Sequence, residues 1–120
     1  MTPFGSRIRE LRNLKSIPQK KMAADLQISS AYLSALEHGK RGRPAPGFVM
    51  QVANYFELIW DDVDRLKLLA KLSHPKIRID TSGLSPQATL LANLLAIHIS
   101  ELDDHTIKRI LFEMGFDKEI

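Results

Sequence analysis

Residues 18–26 and 29–38 each read as a short helix, and only Gln27 and Ile28 separate them. So short a connection forces the two helices to cross steeply, which few architectures accommodate. Pro18 marks the first start, and Met22, Ala23 and Leu26 form its apolar stripe. Ser29 suits the N-cap of the second helix, Leu33 and Leu36 point inward, and Gly39 is its stop. Ala23 sits where the second helix presses on the first, so a larger side chain there would push them apart. Ser30, Ala31, Tyr32, Ser34, Ala35 and His38 remain on or near the outer face. Solvated helix faces usually carry Glu and Lys pairs. This face is small and nearly uncharged, and Lys40, Arg41 and Arg43 border it.

The flanking pattern is helical as well. Phe4, Ile8, Leu11 and Leu14 recur at helical spacing, which predicts a helix over Phe4–Leu14 with its arginines outward. Gly42, Pro44, Pro46 and Gly47 predict a loop. A fourth helix runs through Phe48, Val49, Val52, Ala53 and Phe56. Asp61 is the expected cap of a fifth, with Val63, Leu66, Leu69 and Ala70 in period and Trp60 covering the core. From His74 the stretch HPKIRIDTSG alternates Ile77 and Ile79 with charge, which predicts a short strand or an extended connector. Ser85 and Pro86 then open an apolar helix through Leu91, Leu94, Leu95 and Leu102. Asp103 caps a last helix through Ile107, Ile110, Leu111 and Met114, which stops at Gly115.

The net charge of +3 over 120 residues hides an asymmetry. Residues 1–45 hold nine Lys or Arg against three acidic residues, a net of +6; residues 46–120 hold eight against eleven, a net of −3. A basic first third suggests a polyanion partner. There is no cysteine, which excludes disulfides and cysteine-based chemistry and is compatible with a cytoplasmic location. The N-terminus is no secretory signal, and Ala88–Ile99 is too short to span a bilayer, so no membrane association is expected.

An outward helix of small polar residues can enter the DNA major groove and approach base edges closely. Lys40, Arg41 and Arg43 would then meet phosphates, which set orientation and much of the affinity. Gln19, Met22-Ala23, Leu26, Ile28-Ser29, Leu33, Leu36-Glu37, Gly39-Lys40 and Pro44 resemble the Cro and phage-repressor type of helix-turn-helix regulator, the xenobiotic-response-element family. The resemblance covers roughly residues 4–66. It implies a lambda-repressor-like, five-helix DNA-binding domain over 1–72, acting as a dimer on a palindromic operator. It further implies that Gln19 meets a phosphate or braces the recognition helix. Ser30, Ala31, Ser34 and Ala35 match base-facing positions, and Arg12 and Glu37 match a buried ion pair. Gln27 stands where relatives carry glycine, so it must take a positive φ or a different turn. Pro18 replaces the usual Ser or Thr cap. The face lacks Arg, Asn and Gln, so Ala31 and Ala35 would pack on thymine methyls. Ser30, Ser34, Tyr32 and His38 would supply single hydrogen bonds.

Other chemistries have little support. His38, His74, His98 and His105 lack metal-ligand spacing, so no metal and no cofactor is expected. Ser85, His98 and Asp103 carry no nucleophile-elbow pattern, and the chain does not read as an enzyme. The alternative function is an antitoxin-like regulator that also binds a protein partner. Against it, the C-terminal part is patterned and apolar. The expected architecture is all-α: the DNA-binding domain at 1–72, a connector or short strand at 73–84, and a helical hairpin at 85–120. A homodimer held by residues 77–114 is expected: the first hairpin helix is apolar on more than one side, so the DNA-binding domain or a second protomer must cover what the last helix does not, and the short strand at Ile77 and Ile79 would pair with its symmetry mate.

Overall fold

The computed structural model describes residues 1–40 and 44–116, and its regular structure is entirely helical. Helices α1 (Pro3–Leu14), α2 (Gln19–Asp25), α3 (Ser30–Glu37), α4 (Pro46–Tyr55) and α5 (Trp60–Lys71) belong to one compact unit that ends at Ile77. A second unit begins at Arg78 and contains α6 (Pro86–His98), a 3-10 turn (Ile99–Glu101) and α7 (Asp104–Glu113). None of the described helices is long and apolar enough to cross a membrane.

The core of the first unit is built by the predicted stripes: Phe4, Ile8 and Leu11 of α1, Met22 and Ala23 of α2, and Leu33 of α3. Val49, Val52 and Ala53 of α4 join them, with Phe56 and with Leu66 and Ala70 of α5. Two contacts tie the helices more closely than apolar packing could. At Gly5, an added Cβ would stand 2.5 Å from the Glu37 carbonyl oxygen and 2.6 Å from that of Leu36. Backbone therefore lies where a side chain would be, and only glycine permits this α1–α3 approach. At the other crossing, the Phe4 N–H donates to Ser73 Oγ at 2.9 Å, and the Ser73 hydroxyl donates to the Leu69 carbonyl. Buried Ser73 thus satisfies one open donor of α1 and one carbonyl of α5. It belongs to the first unit, and the connector starts beyond it.

The chain reverses by the same device after α1, α2, α3, α4 and α7. A left-handed residue follows the C-cap: Ser16, Gln27, Gly39, Glu57 and Gly115. The next residue's N–H then returns to a carbonyl five positions back, from Ile17, Ile28, Lys40, Leu58 and Phe116, each at 2.9 Å. These are Schellman caps, which satisfy terminal carbonyls and press an apolar residue back on the helix. Ile17, Ile28 and Leu58 do pack on the core. Gln27 takes φ 58°, the first of the two alternatives open to it, and so turns α2 into α3 in the space of a single cap.

Two expectations for α5 do not hold. Its N-cap is Ile59, with no side-chain cap, and Asp61 lies within the first turn. Trp60 does not cover the core: it is 84% exposed with φ 41°, because it starts the helix beyond the end of the inward stripe formed by Val63, Leu66 and Ala70. In the second unit Ser85 caps α6 and Asp103 caps α7 as predicted, accepting from Ala88 N–H at 3.2 Å and Thr106 N–H at 2.7 Å. Neither α6 nor α7 buries a residue fully: Ala88, Ala92 and Leu95 of α6 and Ile107, Ile110 and Leu111 of α7 are half-buried. The region of Ile77 and Ile79 is a connector, and no strand forms among the described residues.

Gly5→Ala should lower the thermal midpoint sharply, by an overpacking cost of about 1–3 kcal/mol or more, because backbone cannot step aside. Gln27→Gly should raise it. Relief of a left-handed strain of about 1–2 kcal/mol exceeds the unfolded-state entropy of glycine, about 0.4–1 kcal/mol. A lower midpoint for Gln27→Gly in thermal unfolding would contradict the strained cap.

Candidate nucleic-acid interface

The outward surface of α3 follows from what its inner surface is made to do. Leu33 and Leu36 are buried, and Glu37 is as buried as they are. At about 100° per residue, Ser30, Ser34, His38, Ala31 and Ala35 share an arc of about 140° on the opposite side. Ser30, Ala31 and His38 are exposed, while Ser34 and Ala35 are half-buried.

Glu37 is held by a two-pronged ion pair. Arg12 Nε donates to Glu37 Oε2 at 3.1 Å and Nη2 to Oε1 at 2.7 Å, while Nη1 donates to the Ile17 carbonyl at 3.1 Å. The rigid guanidinium fork fixes the end of α3 against α1 and also ties down the loop after α1. The pair that the resemblance implied is therefore present and structural.

The other side of the helix pair rests on α4. Tyr55 hydroxyl donates to Asp25 Oδ2 at 2.6 Å, and Lys21 Nζ donates to the same oxygen at 3.2 Å. The Tyr55 hydrogen bond and then Lys21 hold Asp25 below its ordinary value, and burial followed by Asp25 pushes Tyr55 up to about 12. Tyr32 packs edge-on against Phe48, with ring centroids 6.0 Å apart.

These contacts sort the predicted site residues. Ser29 Oγ accepts from the Tyr32 N–H at 3.0 Å, so this oxygen is engaged in starting α3. Tyr32 is drawn toward α4. His38 Nδ1 lies 2.8 Å from the Ser34 carbonyl, a geometry that requires the proton on Nδ1 and leaves Nε2 as an acceptor in the neutral ring. Gln19 opens α2 and is half-buried beside the N-terminus of the helix pair. Lys40 is exposed immediately after the α3 cap, with its N–H on the Ala35 carbonyl. Arg41 and Arg43 lie outside the described residues. The sequence reading passed over Gly5, Ser73 and the Tyr55–Asp25 bond. A glycine inside an amphipathic helix was the one available signal, for Gly5.

Residues 5–60 match the family described as a helix-turn-helix domain. Over 63 residues the chain is 35% identical to the uncharacterized HTH-type transcriptional regulator RghRB of Bacillus subtilis strain 168, covering 52% of this chain and 45% of that protein. The match thus spans less than half of the relative's length. No solved structure matches the chain.

Breaking the ion pair should cost far more than replacing it. Arg12→Met leaves a buried carboxylate unpaired, at about 3–5 kcal/mol of unfolding free energy, whereas Arg12→Met with Glu37→Leu should recover most of that loss. A double variant no more stable than the single one in denaturant titration would remove this account. Tyr55 should be seen ionising near 12 by ultraviolet titration of a Tyr32→Phe variant, and lower once Asp25→Asn is added. Because the folded value is raised, its contribution is complete below the ordinary value of 10.0 and is lost as pH rises toward 12. The contribution of Asp25, whose folded value is lowered, is lost as pH falls below its ordinary 3.8.

Proposed function

We propose that this chain is a sequence-specific DNA-binding transcriptional regulator, a reading supported by the match of residues 5–60 to a helix-turn-helix domain family. It acts as a repressor and binds a palindromic operator as a homodimer. The single observation that carries the reading is the outward α3 face, small enough to enter a major groove and free of any inward task. Ser30, Ala31, Ser34, Ala35 and His38 read bases, and Gln19 and Lys40, with Arg41 and Arg43, meet phosphates. The relative's description as an HTH-type transcriptional regulator supports the same assignment.

A second copy is the partner that the C-terminal unit suits. Leu90, Leu91, Leu94 and Ile97 are all exposed, between 45% and 65%, and share about 120° of one helix face. Such a seam is the pattern of a helix that meets another helix. On a palindromic operator the two recognition helices of such a dimer would lie about 34 Å apart, one turn of DNA. The exposed seam equally suits the antitoxin-like alternative, in which a foreign chain covers it.

Selection of bound duplexes from a random pool should return a palindrome. Lys40→Ala should weaken binding to all sequences alike and reduce the salt slope by about 0.9 log unit per lost phosphate contact. Sedimentation at micromolar concentration should give a dimer, and Leu91→Glu with Leu94→Glu should give a folded monomer. Binding no tighter than that of an acidic control protein at low salt would end the regulator reading. A monomeric wild-type chain would end the dimer, and a purified complex with a different chain on α6 would favour the alternative.

A further inference from the structure

The proposed base-reading face can be narrowed to the kind of operator it accepts. That step rests on the regulator reading above. Among the six residues on or near the outer face of α3, Tyr32 is engaged with Phe48. The Nδ1 of His38 is spent on the Ser34 carbonyl, and the Ser34 hydroxyl lies 3.4 Å from that same nitrogen. The oxygen of Ser29, at the start of the helix, is spent on its cap. The face contains no Arg, Lys, Asn, Gln, Asp or Glu. It can therefore make none of the two-pronged hydrogen bonds by which guanine and adenine are distinguished in the major groove.

What the face does present is two methyl groups, at Ala31 and Ala35, flanked by the hydroxyls of Ser30 and Ser34. The alanines are one turn apart, about 6 Å along the axis. With α3 lying along the groove, that spacing corresponds to about two base steps, since successive bases on one strand are about 3.4 Å apart. The major-groove group that rewards a methyl is the C5 methyl of thymine, which is the apolar base feature there. A serine hydroxyl, as donor or acceptor, tolerates several base edges and so discriminates weakly.

We propose that Ala31 and Ala35 select operators by the C5 methyls of two thymines about two base pairs apart in each half-site. Beside the single hydrogen bonds open to Ser30, Ser34 and His38 Nε2, the selectivity that Ala31 and Ala35 add is apolar, and it is a property of the methyl groups rather than of A·T pairing as such. Cytosine methylated at C5 presents the same group at the same place in the groove, and it should substitute for thymine at those two positions.

The test uses the full-length protein and the duplex recovered from random selection, with single thymines replaced by deoxyuridine. Each replacement opposite Ala31 or Ala35 should weaken binding about 3- to 5-fold, the factor expected for one buried methyl at about 0.8 kcal/mol. Thymines elsewhere in the site should be indifferent to replacement. Ala31→Ser should abolish the thymine-over-uracil preference at one position while keeping that at the other, and Ala35→Ser should do the reverse. 5-Methylcytosine in place of cytosine should restore binding to duplexes carrying a C·G pair there. Equal affinity for thymine and uracil duplexes, with a palindrome still selected, overturns the methyl inference and leaves the regulator reading standing. Failure to bind any duplex removes both.

Discussion

The buried Arg12–Glu37 pair fixes the geometry on which the rest of the first unit depends. An eight-residue helix has little stability by itself, and α3 has its whole outer arc turned away from the core. Leu33 and Leu36 hold it from beneath, but apolar contacts leave a helix some freedom to roll and slide. The guanidinium fork removes that freedom at the end of α3, because both carboxylate oxygens must meet their partners together. A buried ion pair contributes little net stability against a well-packed apolar replacement, so its value is positional. Gly5 completes the constraint. It lies two turns before Arg12 on the same side of α1, and there the backbone at Leu36 and Glu37 comes close enough to exclude a Cβ. Side-chain charge at one point and the absence of a side chain at another thus fix one helix against the other.

The two faces of the helix pair obey opposite rules as a result. Inside, every buried polar side-chain atom among the described residues has a partner, and the α1–α3 crossing admits no additional atom. Outside, the residues are short and make few bonds to their neighbours. Aromatic contacts from α4 mark the border between the two regimes, with Phe48 against Tyr32 and Tyr55 against Asp25. The borders keep α2 and α3 in place without placing bulk on the arc between them.

Much of this was legible because its causes are local. Ser29, Ser85 and Asp103 are caps whose side chains bond an N–H three residues on, so short stretches of sequence specify them. For Gln27 the glycine that the resemblance places there narrowed the choice to a positive φ or a different turn, and the structure takes the former. The Arg12–Glu37 pair was legible through resemblance, since nothing in a spacing of 25 residues predicts contact. Ser73 was not legible at all, for its partner on α1 lies 69 residues away and a serine after a helix is unremarkable locally. The start of α5 misled for a different reason. Asp61 has the chemistry of a cap, but the extended conformation that a cap requires falls at Ile59, after the Schellman turn through Glu57 and Leu58. The charged residues Asp61 and Asp62 instead occupy the first turn, where negative charge suits the helix dipole.

Helix α6 shows where patterning ceases to specify packing. From Leu90 to Ile97 it has one polar residue, Asn93, and that side chain donates back to the Thr89 carbonyl at 2.8 Å. With apolar residues on nearly every side, hydropathy cannot choose an inner face, and only tertiary burial can. The structure makes a partial choice: Ala88, Ala92 and Leu95 are half-buried, whereas the seam through Leu90, Leu94 and Ile97 is open. On the proposed reading, this seam bears directly on affinity. A recognition face of methyls and hydroxyls supplies only a few weak base contacts to each half-site, and phosphate contacts add strength without selectivity. Linking two such faces makes the second binding event intramolecular, which multiplies affinity by about 10²–10⁴ with no new contact to DNA. The less the α3 face offers, the more of the total affinity must reside in the surface that joins two copies, and α6 is the helix with surface to spare.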